Sequence, residues 1–201
     1  MLLAIHPEHP EPRKIKRAVE LLKAGEVIAY PTDTAYGLGC DLLNRKAIDK
    51  LCAIKRQANP QKLSFICPDL SDIAHYAIVD NQQYRLLKRV LPGPYTFILE
   101  ATREVPKIIQ SKKRTVGIRV PNHAVVLAIV RELGHPVITT TAVLPDEDPM
   151  IDPAEIDDQF RGLALILDGG AGGLVPTTIV DLSTGEIEVI REGAGPVEDL
   201  G

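Results

Sequence analysis

The most informative stretch of this chain is Ala29-Tyr-Pro-Thr-Asp-Thr-Ala-Tyr-Gly-Leu-Gly-Cys-Asp41. Its first two residues belong to the run 27–30, whose β-branched and aromatic residues favour a strand. The glycines at 37 and 39 allow backbone shapes or a close ligand approach that other residues resist. A polar turn followed by a buried strand would explain these glycines, but not the concentration of hydroxyls and a carboxylate at 32–34. We therefore interpret the stretch as part of a binding site.

Outside this stretch, helical and strand patterns alternate along the chain. Apolar residues recur at helical spacing after Pro12, and Gly25 marks the end of that helix. Further helices are predicted after a capping Asn44, around 83–91, after a capping Asn122 as far as Gly134, and over 153–160. Strands are predicted over 27–30, 63–67, 95–101, 115–120, 136–141, 163–167, 178–182 and 186–191. The pattern indicates one α/β domain over 1–201, with a large, mixed parallel and antiparallel sheet.

Composition narrows the class of protein. With 45% hydrophobic residues and no low-complexity linker, the 201 residues suffice for one substantial core. A net charge of -4 argues against strong nonspecific attraction to nucleic acid. No signal peptide or membrane-spanning run is recognisable, so we expect a cytoplasmic protein. The three cysteines and five histidines show no ligand spacing, which predicts neither a disulfide framework nor a protein-bound metal.

Polar residues fall repeatedly at the ends of the predicted strands, where open α/β sheets bind their ligands. These positions are Thr34, Arg119, 139–141, 177–178 and Arg191. Hydroxyls and guanidinium groups together suit an anionic substrate that carries phosphate or carboxylate. Phosphate-binding loops of known pattern are absent, since the glycine-rich run 169–173 does not open a helix and is expected to be a flexible loop. A basic run, Lys112-Lys113-Arg114, is either a solvated turn or a contact for RNA phosphates.

Four ordered motifs carry a resemblance to a known family. They are Pro31-Thr-Asp-Thr-Ala-Tyr-Gly-Leu-Gly39, Leu91-Pro-Gly-Pro-Tyr-Thr-Phe-Ile-Leu99, Val116-Gly-Ile-Arg-Val-Pro-Asn-His123 and Pro176-Thr-Thr-Ile-Val-Asp181. Together they resemble the YrdC/YciO family of threonylcarbamoyl-AMP synthases, and the YciO branch most. The resemblance covers nearly the whole chain and implies a twisted mixed sheet, flanked by helices, that forms a concave basic cavity.

The resemblance also implies a reaction. Threonine, bicarbonate and ATP give threonylcarbamoyl-AMP and pyrophosphate, and partner proteins then transfer the threonylcarbamoyl group to an adenosine of tRNA. Mg²⁺ is expected to accompany ATP, without an organic prosthetic group. Such an enzyme is a nucleotidyltransferase that needs no covalent nucleophile, because positioning and charge stabilisation carry adenylate formation.

The same resemblance implies roles for individual residues. Thr34, Tyr36, Arg119 and Thr177 are expected around threonine, with Arg119 on its carboxylate. ATP is expected to contact Lys55, Thr115, Thr141 and Arg191. Lys55 and Arg119 are the expected catalytic residues.

The chain departs from the synthase pattern at three places. Lys-x-Arg becomes Lys55-Arg56-Gln57, and Ser-Ala-Asn becomes Thr141-Ala-Val143. Where the synthases carry a histidine after the start of the next strand, this chain has Ile66 followed by Cys67. Losing a charge-assisted hydrogen bond at Gln57 costs about 1.5–3 kcal/mol, and with the amide absent at Val143 the affinity falls roughly a hundredfold. These departures predict weakened activity. They leave two other functions open, a non-enzymatic binder of double-stranded or structured RNA and an adenylate-forming enzyme with a different substrate.

Overall fold

One large sheet runs through the computed structural model, which describes residues 1–56, 59–144 and 147–201. In those ranges eleven strands form the sheet: Leu2–Ala4 (β1), Ile28–Tyr30 (β2), Gly37–Asp41 (β3), Ser64–Ile66 (β4), Ala77–Ile78 (β5), Tyr95–Ala101 (β6), Thr115–Arg119 (β7), Val137–Thr141 (β8), Leu165–Asp168 (β9), Thr178–Asp181 (β10) and Glu188–Arg191 (β11). The same ranges contain six α-helices: Pro12–Lys23 (α1), Arg45–Ile54 (α2), Leu70–Tyr76 (α3), Asn81–Val90 (α4), Ala124–Leu133 (α5) and Pro153–Gln159 (α6). Short 3₁₀ turns lie at Pro60–Lys62 and Val197–Leu200. None of the described helices combines the length and the apolar character that a bilayer crossing requires.

The sheet is mixed, as the sequence predicts. Its strand order is β1-β9-β2-β3-β8-β4-β7-β6-β10-β11, and β5 pairs with β6. The pairs β1/β9, β2/β9, β4/β7 and β6/β10 are parallel. The remaining pairs are antiparallel, including β3 between β2 and β8. The α/β class and the mixed sheet are therefore confirmed.

Helix caps follow the sequence except at one position. Asn44 caps α2, since its side chain accepts a hydrogen bond from the Ala47 amide. The prediction that Asn122 caps α5 is wrong, because the cap is His123, whose ring accepts from the Val125 amide. The backbone amide of Asn122 instead donates to the carboxylate of Asp33, 89 residues away in the sequence.

Each face of the sheet carries its own hydrophobic core. On one face α1 and α5 cover the strands near Ile28, Ile66 and Val137. On the opposite face α2, α3, α4 and α6 pack against a larger core. Because side chains alternate across a strand, Thr139 and Thr141 follow Val137 on the face of α1 and α5. These two helices cover only part of that face, and the polar side chains lie on the uncovered part.

The glycines of β3 make room for one tyrosine. Tyr30 is fully buried on β2, and its hydroxyl donates to Thr139 Oγ1 on β8 over 2.8 Å. Since β3 lies between these two strands, the phenol ring must cross it. A Cβ atom on Gly37 would lie 2.7 Å from the ring, and one on Gly39 would lie 2.6 Å from the hydroxyl. Close packing against the β3 backbone therefore accounts for both glycines. The group that approaches them is the Tyr30 side chain, joined at Gly39 by Val137, and not a ligand.

Replacing Gly37 with alanine should therefore destabilise the fold by about 1–3 kcal/mol, because the new methyl group overpacks against the ring. Urea unfolding followed by circular dichroism measures the free energy of unfolding. In a Tyr30→Leu background the ring is gone, and the same substitution should cost less than about 1 kcal/mol. An equal cost in both backgrounds would show that Tyr30 is not the reason for the glycine.

Candidate functional site

Two adjoining cavities lie on the uncovered part of the sheet face. The first, the sheet cavity, has a volume of about 590 Å³ and is lined mainly by residues of β4, β6, β7, β8 and β10. The second, the loop cavity, has a volume of about 730 Å³ and is lined by residues of the segments 55–62, 141–149 and 174–176, with Arg191. Both cavities share the residues Lys55, Lys62, Thr141, Val143 and Arg191. They therefore form one continuous space.

Strand alternation places the polar residues of the sheet cavity. On β7, Thr115, Gly117 and Arg119 line the cavity, whereas Val116 and Ile118 pack in the opposite core, with Val116 also bordering the cavity. Thr139 and Thr141 do the same on β8. Neighbouring strands add more hydroxyls, from Ser64, Thr96 and Thr177.

Arg119 is the buried cation of the sheet cavity. Only 6% of the residue is exposed, and its Nη2 donates to Asp33 Oδ1 over 3.1 Å and to Thr34 Oγ1 over 3.2 Å. Burial lowers the pKa of Arg119, and the Asp33 carboxylate opposes that shift. Its Nε is buried without a hydrogen-bond partner. A buried donor left unpaired is costly, so this nitrogen is suited to an anionic oxygen in the cavity.

Asp33 is the partner that the sequence left unidentified. Asp33 is not among the site residues predicted from the sequence, but the loop after β2 brings it to Arg119. Its second oxygen, Oδ2, accepts from the Asn122 amide over 2.9 Å. The carboxylate therefore joins this loop to the end of β7 and the start of α5.

Tyr36 lies behind the site and does not line either cavity. It is fully buried, and its hydroxyl donates to the Gly170 carbonyl over 2.7 Å and accepts from the Gly169 amide over 3.2 Å. The backbone amide of Gly173 also donates to the backbone carbonyl of Thr34 over 2.8 Å. The glycine run 169–173, expected to be a flexible loop, is thus held against the segment that contains Thr34 and Tyr36.

Lys55 lies where the two cavities meet. It is the C-terminal cap of α2 and is 7% exposed, and its ammonium group donates to the Val143 carbonyl. Burial lowers the pKa of Lys55 to about 8. An anion entering either cavity would meet this ammonium group and favour its charged form.

Arg191 and Thr177 contact each other in the wall of the sheet cavity, and Arg191 also lines the loop cavity. The Arg191 guanidinium donates to the Thr177 carbonyl from Nη2 over 2.8 Å. Thr177 Oγ1 lies 2.9 Å from Thr96 Oγ1. Arg191 is the last residue of β11, so this strand completes the site.

Sequence reasoning missed Lys62, which lines both cavities from the 3₁₀ turn Pro60–Lys62. The capping signal at Asn59, whose side chain accepts from the Gln61 amide, was available in the sequence. Arg56 lines only the loop cavity, with a left-handed backbone at φ 54°. Gln57, the departure from Lys-x-Arg, lies outside the described residues.

Thr115 and the basic run meet at the other end of the sheet cavity. Thr115 Oγ1 lies 2.7 Å from Ser111 Oγ, and both residues line the cavity. Lys112, Lys113 and Arg114 are exposed in the turn between them. The structure thus places the basic run beside the cavity and outside its wall.

The acidic segment 144–153 borders the loop cavity. Glu147 and Asp148 line the cavity, and Asp152 caps α6 through the Ala154 amide. Asp146 lies outside the described residues. Anywhere in the described ranges, this segment included, no group of three or more histidine, cysteine or acidic side chains is placed to hold a metal ion.

The charges divide the space into two regions. Arg119 is neutralised by a buried carboxylate, whereas Lys55, Lys62 and Arg191 make no ion pair with any carboxylate in the described part of the chain. Within that part, no carboxylate lines the sheet cavity. The first region suits a group with little net charge, and the second suits a multiply charged anion.

Comparison with known proteins gives consistent matches. The Sua5/YciO/YrdC family, described as Telomere recombination, matches residues 20–193. The uncharacterized protein YciO of Escherichia coli (strain K12) is 41% identical over 197 residues, covering 96% of each chain. The crystal structure of E. coli YciO aligns with a TM-score of 0.95 at 39% identity, covering 100% of this chain and 98% of that one.

Two relatives have more informative names. The threonylcarbamoyl-AMP synthase of Chromobacterium violaceum is 34% identical over 183 residues, covering 90% of this chain and 95% of the relative. The crystal structure of P. abyssi Sua5 complexed with L-threonine aligns with a TM-score of 0.92 at 26% identity. It covers all of this chain, which spans 59% of the length of Sua5.

The lowered pKa of Lys55 predicts that anion binding depends on pH. At pH 7 the ammonium is charged and strengthens the binding of inorganic pyrophosphate about tenfold or more relative to a Lys55→Met variant. As pH rises through about 8 the free protein loses this charge, so the ratio of the two affinities should approach one at pH 9.

Isothermal titration calorimetry at both pH values measures the ratio of the wild-type affinity to the Lys55→Met affinity. The protonation of pyrophosphate itself affects both proteins equally, so it cancels in this ratio. Lys46 is exposed on the same helix, and a Lys46→Met variant serves as the matched control with unchanged affinity. A constant ratio between pH 7 and pH 9 would contradict the assignment of the charge to Lys55.

Proposed function

Because the chain belongs to the Sua5/YciO/YrdC family, we propose that it is a threonylcarbamoyl-AMP synthase-like enzyme. It joins threonine, bicarbonate and ATP into threonylcarbamoyl-AMP, with release of pyrophosphate, for the modification of tRNA. The observation that carries this proposal is the division of one cavity between an ion-paired arginine and three unpaired cations.

Threonine belongs to the region around Arg119. Its carboxylate accepts from the unpaired Nε, and the nearby hydroxyls of Thr34 and Thr177 bind its polar groups. An amino acid carries one positive and one negative charge, so it suits a region where Asp33 already offsets the arginine. The complex of P. abyssi Sua5 with L-threonine supports this assignment, since that structure aligns with the whole chain.

ATP belongs to the region of the unpaired cations. Lys55 and Arg191 bind its phosphates, with Lys62 as a third cation shared by both cavities. Thr115 and Thr141 donate hydroxyl hydrogen bonds. A triphosphate has the charge that these cations can offset, whereas a neutral ligand would leave them unpaired.

The chemistry needs positioning more than reactive side chains. The threonine amine attacks the carbon of bicarbonate, and loss of water gives the carbamate. A carbamate oxygen then attacks the α-phosphorus of ATP, and pyrophosphate leaves as the P–O bond to the β-phosphate breaks. Two anions must approach each other in this step, so the cations lower the barrier by offsetting their repulsion.

Mg²⁺ would enter with ATP, held mainly by phosphate oxygens, and would offset charge on the leaving pyrophosphate. The oxygen ligands that Mg²⁺ prefers are available from Glu147 and Asp148, which line the loop cavity. In the described part of the chain, both residues share the loop cavity with Lys55, Lys62 and Arg191. The site therefore fits a metal that accompanies the nucleotide.

The proposed reaction is expected to be slow. The Val143 position offers only its backbone carbonyl, which is occupied by Lys55. An amide side chain there would add a donor and an acceptor for ATP. An altered amino acid or carboxylate substrate is the alternative, and the same assay separates it from threonine.

The enzyme should release pyrophosphate from ATP only when threonine, bicarbonate and Mg²⁺ are all present. An Arg119→Ala variant should lose the release by a factor of about 100 or more, because it loses a buried charge-assisted hydrogen bond to the threonine carboxylate. An enzyme-coupled pyrophosphate assay measures the rate. Arg45→Ala serves as the control, since Arg45 is exposed on α2 away from the cavities.

Absence of pyrophosphate release in the complete mixture, with ATP binding retained by calorimetry, would overturn the proposal. A panel of other amino acids in the same assay would then test the altered-substrate alternative.

A further inference from the structure

From the geometry around Arg119, we propose that Asp33 is a positioning residue, which holds the guanidinium so that its Nε stays available to a ligand carboxylate. The role of the ligand rests on the proposed function, whereas the positioning itself does not.

The donors of the Arg119 guanidinium are not all used. Its Nη2 is fully occupied, since it donates to Asp33 over 3.1 Å and to Thr34 over 3.2 Å. Its Nε has no partner although the side chain is 7% exposed. The existing hydrogen bonds therefore fix one edge of the planar guanidinium and leave another donor unused.

Asp33 is itself held in place by contacts to both of its carboxylate oxygens. Oδ1 accepts from Arg119, and Oδ2 accepts from the Asn122 backbone amide over 2.9 Å. The carboxylate side chain is 11% exposed. With both oxygens engaged and a backbone group as one partner, the carboxylate has little freedom to rotate. It can therefore orient Arg119 rather than merely accompany it.

Asp33 also offsets the positive charge of Arg119. A buried guanidinium without a counter-ion would attract any anion in the cavity, including a phosphate group of a nucleotide. Asp33 offsets the charge of Arg119 but leaves its Nε donor without a partner. Arg119 therefore selects a ligand through hydrogen-bond geometry more than through net charge. Loss of Asp33 should therefore weaken threonine binding and also let phosphate compete at this position.

Nuclear magnetic resonance tests the positioning without any assumption about the reaction. In protein labelled with ¹⁵N-arginine, the buried Nε–H of Arg119 should give a slowly exchanging signal, identified by its absence in Arg119→Lys. We expect Asp33→Asn to shift the signal and to speed its exchange with solvent by about tenfold or more, whereas Asp33→Glu should retain much of its protection. An unchanged signal in Asp33→Asn would overturn the proposal.

Asp41→Asn is the matched control. Asp41 is buried, accepts from the Leu43 amide and lies 3.4 Å from His135, and its described partners do not include Arg119. This variant should leave the Arg119 signal unchanged. An equal loss of the signal in Asp41→Asn would show general destabilisation and would also overturn the proposal.

Steady-state kinetics test the consequence for the ligand. Asp33→Asn should raise KM for threonine about tenfold to a hundredfold and change KM for ATP by less than about threefold, because only the arginine is displaced. It should also make inorganic phosphate a better inhibitor against threonine. Equal increases in both KM values would contradict positioning at the threonine region. If the wild-type protein releases no pyrophosphate, the proposed function fails while the resonance measurement still decides the role of Asp33.

Discussion

The buried ion pair between Arg119 and Asp33 is the interaction on which the site depends. A guanidinium cannot be buried in this way without a counter-ion, because the loss of hydration would exceed the other interactions available to it. Asp33 supplies that counter-ion from the loop after β2, and the amide of Asn122 holds it from the start of α5. Two distant segments of the chain, the loop after β2 and the residues between the end of β7 and the start of α5, must therefore be in place before Arg119 is held in the site. The site is a product of the complete fold and cannot be reduced to a local motif.

Partial coverage of one sheet face turns this interaction into a cavity. The helices α1 and α5 bury apolar side chains at one end of the face. At the other end the inward positions carry hydroxyls and cations, which apolar helices could not cover without leaving polar groups unpaired. The net charge of -4 belongs to the whole chain, while this one face concentrates Lys55, Lys62 and Arg191. Local placement decides what the protein attracts, since exposed charges more than about 10 Å apart are largely screened.

The elements predicted from sequence succeed where local signals agree with the tertiary environment. The strand Tyr95–Ala101 matches its predicted bounds, because apolar residues dominate it and Pro94 precedes it. The strands β1, β3 and β5 and the helix α3 were not predicted. Two glycines give Gly37–Asp41 a weak strand propensity, yet it lies in the middle of the sheet because β2 and β8 pair with it on both sides. Tertiary pairing thus overrides local preference.

By itself, the sequence determined the α/β class, the mixed sheet and the family, because periodicity, turn residues and ordered motifs are local properties. It also marked Arg119 and Arg191 as candidate ligands, since isolated cations at strand ends are visible in one dimension, and the family resemblance added Lys55. Only the tertiary structure decided that Asp33 pairs with Arg119 and that Lys62 joins the shared wall of the cavities. Those contacts join residues far apart in the chain, and their energies depend on burial and distance, which exist only after the strands have paired.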